Sequence, residues 1–454
     1  MPAPPVGGSS RRALSSAMTG PGRRLRAVGA ARGLRLRSRF RRRGPLAFLA
    51  VMGPGLIAGV AGNDAGGITT YSIMGADTGL RLLWLFPLTM LILAVVQEMA
   101  ARLGVVTGQG LSDLIRDRYG VRWTVLAMGV LLVANLANTV AEFAGAGAAL
   151  QILGVPTWLT VPLVALAIWA LVLFAAYRTV ERVFLLVMLV FLAYIASAVL
   201  AGPDWGAVGS ALVSPSIAGL DPTTLLLMVA VVGTTITPYM QFYLQSAVAE
   251  KGIDEQELGL EQADAVVGSV WTNVIAIFIV VATATTLHAG GIRVTSAADA
   301  AHALGPVAGE LSSLLFAVGL FGASVLAATI MPISTAFVIC EAFGWESGVG
   351  HRFGDARAFF GLYTFVLFFG AAVVLIPGLD PIGLIVGSQY LQGLLLPVVL
   401  IFMLLLVNDR ALLGRHANGS LRNGLAMACI GLVIVLDVVL IGAAAVGWFG
   451  ARAG

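Results

Sequence analysis

Long, uninterrupted apolar runs are the feature that most limits how this chain can fold. Stretches such as LLWLFPLTMLILAVVQ (82–97) and PVVLIFMLLLV (397–407) contain no charged residue. A helix needs about 20 apolar residues to cross the hydrocarbon core of a bilayer, and such runs recur from Pro45 to Phe449. The strands of a membrane barrel would instead alternate polar and apolar residues. The pattern therefore predicts an all-α membrane protein.

The composition excludes several other classes of protein. With 59% hydrophobic and 11% charged residues, the chain is too apolar for a soluble domain. Cys340 and Cys429 lie inside apolar runs, so no disulfide framework is predicted. The histidines are scattered, and the HExxH, GxSxG and phosphate-binding lysine motifs are missing from the sequence. We therefore predict that the protein is not an enzyme and that it has neither a cofactor nor a nucleic-acid partner. The lipid bilayer is the predicted surrounding medium.

Eleven membrane-spanning helices are predicted, and an odd number places the two termini on opposite sides. The predicted spans are 46–73, 80–104, 123–152, 157–177, 180–201, 223–248, 265–289, 308–342, 357–377, 382–407 and 424–449. Arginine-rich loops lie at 116–122, 177–182, 351–357 and 408–415, which favours a cytoplasmic N-terminus in an inner membrane.

The first 44 residues form a separate, strongly basic segment. Twelve arginines and no acidic residue lie between Arg11 and Arg43, which predicts a disordered cytoplasmic segment. A cleavable signal peptide is the alternative, but no convincing cleavage site follows the first apolar run. Residues 45–450 then form a single transmembrane domain.

Two of the predicted spans are interrupted near the middle of the membrane. In span 1, Asp64 is followed closely by Gly66 and Gly67, and in span 6, Thr237 precedes Pro238. Proline removes a backbone donor and paired glycines weaken a helix, so both helices should unwind at these positions. Broken helices five spans apart indicate a five-plus-five inverted repeat of the LeuT type. Its halves would cover about 46–201 and 223–407, with 424–449 as an additional helix.

Asp64 is the strongest candidate for a functional residue. A carboxylate at mid-membrane costs about 2.5–3.5 kcal/mol and needs a partner. Carbonyl groups exposed by the unwound backbone can join it in binding a cation. The alternative is a protonated, purely structural aspartate that bonds a neighbouring helix.

Several stretches of the chain resemble the Nramp family of divalent metal transporters, from Gly53 to about Gly414. GPGLIAGVAGND resembles that family's first helix, VVGTTITP its sixth, and VLAATIMPISTAFVICEAFG its eighth. The run LLWLFPLTMLILAVVQEMAARLGVVTGQGLSDLIRDRYG resembles the second helix and the loop after it.

The resemblance implies where the cargo binds, and the chain departs from the family at that site. Asp64 is kept, but Gly67 replaces an asparagine ligand, Thr237 a methionine and Tyr239 a histidine. The implied metal ligands are Asp64, Ala61, Thr234 and Thr237. The implied contacts to a hydrated ion are Gly67, Tyr239, Gln241, Glu142, Thr139 and Gln389, with Gln392 competing for the role of Gln389.

These departures predict a roomier site with harder ligands. Oxygen ligands suit magnesium and manganese, whereas thioether sulfur suits softer transition metals. Magnesium sheds water reluctantly, and a glycine leaves volume for a partly hydrated ion. The pattern is similar to the Nramp-related magnesium transporters, which implies Mg²⁺ as the main cargo and Mn²⁺ as a second one.

Proton coupling is not expected. In ordinary Nramp members the third helix carries an aspartate and, three residues on, a glutamate, where this chain has Thr139 and Glu142. Neither a threonine nor an ordinary tyrosine titrates near neutral pH, so uncoupled, downhill flux is predicted. The alternatives are a proton-coupled Mn²⁺/Fe²⁺ transporter, a sodium-coupled carrier of organic solutes on the same scaffold, and a non-transporting receptor.

Two other groups of charged residues lie within predicted spans. Glu98 and Arg102 are four residues apart on one helix, which predicts an ion pair. Asp437 lies in the eleventh span, and the pattern predicts no role for it.

Overall fold

A computed structural model describes residues 53–60, 62–174, 192–216, 221–305, 309–346 and 354–453. Every regular element within these ranges is a helix. The basic segment 1–44, Ala61 and most of the span predicted at 180–201 lie outside the described residues. Of that span, residues 192–200 are described and are helical.

The helices follow one another along the chain with short connections. They are α1 (Pro54–Val60), α2 (Ala65–Thr78), α3 (Leu85–Thr107), α4 (Leu111–Tyr119), α5 (Val121–Ile152), α6 (Thr157–Phe174), α7 (Trp205–Val213), α8 (Pro222–Thr235), α9 (Pro238–Lys251), α10 (Leu258–Thr283), α11 (Ala297–Ala301), α12 (Ser312–Phe343), α13 (Arg357–Val374), α14 (Pro381–Val407), α15 (Arg410–Leu413) and α16 (Ser420–Ala453).

Eight helical stretches of the described ranges are long and apolar enough to cross a membrane. The other three predicted spans differ for identifiable reasons. Span 1 is divided into two short helices, α1 and α2, and α6 is a shorter apolar helix. The fifth span lies mostly outside the described residues. The architecture is that of an all-helical, multi-pass membrane protein.

Both predicted helix breaks are present. Helix α1 ends at Val60 and α2 begins at Ala65, while α8 ends at Thr235 and α9 begins at Pro238. Asp64 is the N-cap of α2 and accepts a hydrogen bond from the Gly67 amide, which supports the restart of the helix. Pro238 begins α9, where its missing N–H costs no helical hydrogen bond.

Close helix contacts hold the two breaks in place. Helix α5 packs against α12, α13 and α14, and α14 packs against α8. Gly233 of α8 lies directly against α14, because a Cβ at this position would overlap the backbone of Gln389 and Gly393. The α8–α14 contact therefore brings the Gln389 segment next to the second break.

Helix α1 is anchored to α10 over its whole length. A Cβ on Gly55 would overlap the backbone of Ala265, and one on Gly59 would overlap that of Gly268. The backbone amides of Gly53 and Gly55 also donate to Asp264 Oδ2, at 3.1 and 2.8 Å. Small residues allow this approach, and the carboxylate satisfies amides that the first turn of a helix leaves unpaired.

The predicted ion pair on α3 is confirmed. Arg102 Nη2 lies 3.1 Å from Glu98 Oε2, and the arginine is fully buried. Its guanidinium also donates to Asn418 Oδ1 at 2.7 Å and to the His416 carbonyl at 2.9 Å. These hydrogen bonds connect α3 to the segment before α16. They also give the buried Arg102 charge the several partners that it needs.

Candidate metal-binding site

Asp64 lies at the first break with both carboxylate oxygens engaged. The residue is 3% exposed. Oδ1 accepts from the Gly67 amide at 2.9 Å, and Oδ2 accepts from Asn138 Nδ2 at 3.2 Å. Asp64 therefore faces α5 and the interior of the helix bundle, and its charge is directed toward polar groups from another span.

Glu142 of α5 is the second carboxyl group of this site. It is completely buried and lies within hydrogen-bonding reach of the Asp64 carboxyl group. Its Oε2 accepts weakly from the Ala65 amide at 3.4 Å. Its Oε1 has no hydrogen-bond partner among the described residues. The structure thus brings together two of the carboxyl groups that the sequence singled out.

Three buried carboxamides form a hydrogen-bonded chain that ends at Asp64. Gln392 Nε2 donates to Gln389 Oε1 at 3.2 Å, and Gln389 Nε2 donates to Asn138 Oδ1 at 2.9 Å. Asn138 Nδ2 then donates to Asp64 and, at 3.0 Å, to the Met331 thioether. Both glutamines that competed for one predicted role therefore belong to the site. Asn138 and Met331 were not predicted.

The space around Gly66 and Gly67 of α2 is filled by the protein itself. A Cβ on Gly66 would overlap the carboxamide of Gln389, and a Cβ on Gly67 would overlap the Gly62 carbonyl oxygen. This differs from the roomier site that the sequence predicted. The volume released by the glycines is taken up by a side chain of α14 and by the turn before α2.

The second break contributes polar groups from α8 and α9. Thr234 lies in the last turn of α8, and Thr237 is the N-cap of α9. Tyr239 is buried close to both Asp64 and Glu142. Thr234 Oγ1 and Gln241 Oε1 have no hydrogen-bond partner within the part of the chain that the structure describes. Ala61, the remaining predicted ligand, lies outside the described residues.

Thr139 is engaged elsewhere. Its hydroxyl donates to the Asn135 carbonyl of its own helix at 2.7 Å. A Cβ on Gly370 of α13 would lie 2.7 Å from the Thr139 methyl group, so the side chain packs against α13. The structure therefore does not bring Thr139 to the carboxyl groups of the site.

The donor set is suited to a hard cation. Among the described residues, no three His, Cys, Asp or Glu side chains converge as metal ligands. Two carboxyl groups, three carboxamides and hydroxyl groups are present instead, with the Met331 thioether at the edge of the site. Carboxylate and carbonyl oxygens are the ligands preferred by magnesium, calcium and manganese.

Solved structures share this fold. A manganese transporter of Eremococcus coleocola, in complex with an aromatic bis-isothiourea substituted compound, matches with a TM-score of 0.68 at 23% identity over 90% of each chain. MhsT in complex with L-phenylalanine matches with a TM-score of 0.58 at 14% identity over 86% of this chain and 98% of that one. These likenesses place the chain in the LeuT-like fold.

Curated relatives and a family model match most of the sequence. A divalent metal cation transporter MntH of Deinococcus radiodurans is 30% identical over 84% of this chain and 87% of its own length. Another MntH, of Granulibacter bethesdensis, is 26% identical over 86% of this chain and 87% of its own length. The model of natural resistance-associated macrophage protein-like (Nramp) proteins matches residues 55–443. The chain belongs to the Nramp family.

Proposed function

We propose that this protein transports divalent metal cations through the membrane and that Mn²⁺ and Mg²⁺ are both cargoes. One observation carries the proposal: a buried carboxylate, Asp64, lies at the break of one span and faces carboxamides and a second carboxyl group. An ionised group at this depth needs a compensating charge, which a divalent cation provides. Manganese is also the cargo named for the solved transporter from Eremococcus.

The unpaired acceptors around the site support a cation that keeps some of its water. The buried oxygens of the site that have no hydrogen-bond partner among the described residues include Glu142 Oε1, Thr234 Oγ1 and Gln241 Oε1. Buried acceptors are normally satisfied, so each needs an explanation. Water bound to a metal donates hydrogen bonds, and Mg²⁺ in particular retains several waters in proteins. This argument favours Mg²⁺ as a cargo in addition to Mn²⁺, the cargo named for the solved transporter from Eremococcus.

Uptake into proteoliposomes tests the cargo. We expect Mn²⁺ and Mg²⁺ each to enter vesicles that contain the protein, and excess Mg²⁺ to reduce Mn²⁺ entry. Empty vesicles and vesicles with Asp64→Asn protein are the controls. Entry of Mn²⁺ without Mg²⁺ flux or competition would remove magnesium from the proposal, and no metal flux at all would remove the transport function.

Metal flux is expected to be uncoupled from protons. Thr139 does not titrate near neutral pH and is packed against α13, and Tyr239 takes the place of a histidine. A pH-indicator dye inside the vesicles should therefore remain silent while metal enters. Acidification that increases in proportion to metal entry would contradict this prediction.

One observation favours the proton-coupled alternative. The carboxyl groups of Asp64 and Glu142 interact directly, and two neighbouring carboxyl groups can share a proton. In that case Glu142→Gln would abolish dye acidification but keep part of the metal flux. With uncoupled transport, the same variant leaves the dye silent, as in the wild type.

The arrangement in the membrane follows from the same proposal. Eleven spans in a five-plus-five inverted repeat with one added helix would place the N-terminus in the cytoplasm and the C-terminus outside it. The arginine-rich loops at 116–122 and 408–415 support this orientation. A sodium-coupled carrier of organic anions is disfavoured, because Asp64 would repel a carboxylate cargo.

A further inference from the structure

Asn138 is the residue through which the carboxamide chain reaches Asp64. It is fully buried, and all three of its hydrogen bonds join different parts of the fold. Its Nδ2 donates to Asp64 before α2 and to Met331 of α12, and its Oδ1 accepts from Gln389 of α14. These bonds fix the position of the Asn138 side chain between Asp64, α12 and α14.

The chain of amides has a direction. Each carboxamide nitrogen donates toward Asp64: Gln392 to Gln389, Gln389 to Asn138, and Asn138 to the Asp64 carboxylate. The oxygen at the far end, Gln392 Oε1, has no hydrogen-bond partner among the described residues. The terminal torsion of an asparagine or glutamine side chain has two comparable orientations, which exchange its oxygen and nitrogen.

Reversing the direction would give Gln392 Oε1 a hydrogen-bond donor and present an oxygen to a cation. If all three amides turned, Asn138 Nδ2 would donate to Gln389 Oε1, and Gln389 Nε2 would donate to Gln392 Oε1. The oxygen that lacks a partner would then have one. Asn138 Oδ1 would face Asp64. The bonds given up would be the one from Asn138 Nδ2 to the Met331 thioether and the one from Gln389 Nε2 to Ser388 Oγ, at 3.0 and 2.8 Å.

The distances around Asn138 are those of neighbouring metal ligands. Its Nδ2 lies 3.2 Å from Asp64 Oδ2. In an octahedral site with metal–oxygen distances of about 2.1 Å, adjacent ligand oxygens are about 3.0 Å apart. After the turn, Asn138 Oδ1 and Asp64 Oδ2 would therefore need only a small adjustment to bind one ion.

We infer that Asn138 coordinates the transported cation through Oδ1, together with Asp64, and that Gln389 and Gln392 reverse their hydrogen bonds to permit it. This inference rests on the proposed function and adds a ligand to it. It also explains how the site functions without the family's asparagine. A side chain at Gly67 would collide with the Gly62 carbonyl, so α5 supplies the carboxamide that α2 lacks.

Titration of Mg²⁺ and Mn²⁺ into the purified full-length protein tests the inference, with Asn135 as the matched control. Asn135 lies one turn earlier on α5, is equally buried and donates to Thr335 at 2.6 Å. We expect Asn138→Ala to raise the dissociation constant of each metal at least about tenfold, as for residues that orient metal ligands, and Asn135→Ala to change it less than about threefold. Gln392→Leu should weaken binding, because Gln389 would have no acceptor after the reversal.

Asn138→Asp separates coordination from structural support. An aspartate keeps the ligand oxygen but cannot donate to Asp64 or Met331. Coordination therefore predicts metal binding at least as tight as in the wild type, together with thermal stability that recovers when Mg²⁺ is added. A purely structural Asn138 predicts lost binding. This variant decides the question if Asn138→Ala does not fold.

The outcomes distinguish the two proposals. If wild-type protein binds neither metal, the proposed function fails. If it binds metal and Asn138→Ala binds equally well, or if the two alanine variants are weakened to the same extent, the inference about Asn138 is overturned while the proposed function stands. Weakening confined to Asn138→Ala and Gln392→Leu, with binding retained by Asn138→Asp, supports the inference.

Discussion

Asp64→Asn is expected to abolish measurable metal binding and flux while leaving the protein folded. Asparagine has nearly the same shape and is an equally good N-cap, so the hydrogen bond from the Gly67 amide is kept. The negative charge that compensates the cation is lost. We expect the dissociation constants of Mn²⁺ and Mg²⁺ to rise by more than about 100-fold, because even residues that only support a ligand contribute about 10- to 100-fold.

Two further variants serve as comparisons for Asp64→Asn. One removes the helix cap together with the charge, and the other removes a buried carboxyl group on a different helix. Asp64→Ala should lose metal binding and also the N-cap, which contributes about 1 kcal/mol to stability. Asp437→Asn removes another buried carboxyl group from the apolar part of the chain, on α16, and should bind metal within about threefold of the wild type. Thermal unfolding and isothermal titration measure both effects. Metal binding by Asp64→Asn at wild-type strength would contradict the proposed site.

The sequence was sufficient to locate the breaks and the carboxyl groups. Glycines 66 and 67 and Pro238 act locally on the backbone, so their effect on helix continuity does not depend on the rest of the fold. Asp64 was identifiable for a similar reason, since a carboxylate in an apolar run is costly in any membrane fold. Both breaks lie where these local signals placed them.

The partners of Asp64 depended on tertiary packing and were harder to predict. On α5, Asn138 and Thr139 are both within one turn of Glu142, so helical spacing permits either to share its face. Packing decides between them: Thr139 lies against Gly370 of α13, and Asn138 faces Asp64. The spacing of four residues between Asn138 and Glu142 was the available signal that the two share a helix face. Because Asn138 is a neutral amide, however, its side chain gave no reason to prefer it over Thr139.

The volume of the site was also a tertiary property. Replacement of a large residue by glycine indicates space only if neighbouring groups stay where they are. Here Gln389 lies over Gly66, and the turn at Gly62 closes over Gly67. The space at the two glycines could therefore not be predicted from the sequence, because protein interiors pack to high density.

Gly59→Leu is expected to have the second-largest effect, because α1 has no room for a side chain where it meets α10. A Cβ on Gly59 would overlap the backbone of Gly268, and backbone cannot rotate away as a side chain can. Overpacking typically costs about 1–3 kcal/mol, and relief here requires α1 to move off α10. The Gly59 carbonyl would then lose the hydrogen bond from the Thr272 hydroxyl, and the break that carries Asp64 would shift with α1.

Gly361→Leu provides the matched control for Gly59→Leu. Gly361 lies on α13 and is exposed, and no atom of the described residues lies within 4 Å of an added Cβ. We expect Gly361→Leu to retain wild-type thermal stability and metal binding. Gly59→Leu should instead lower the unfolding temperature and weaken Mn²⁺ binding at least about tenfold, as expected when a metal ligand loses its structural support. If Gly59→Leu has the same unfolding temperature and the same Mn²⁺ affinity as Gly361→Leu, the close packing of α1 on α10 does not position the metal site.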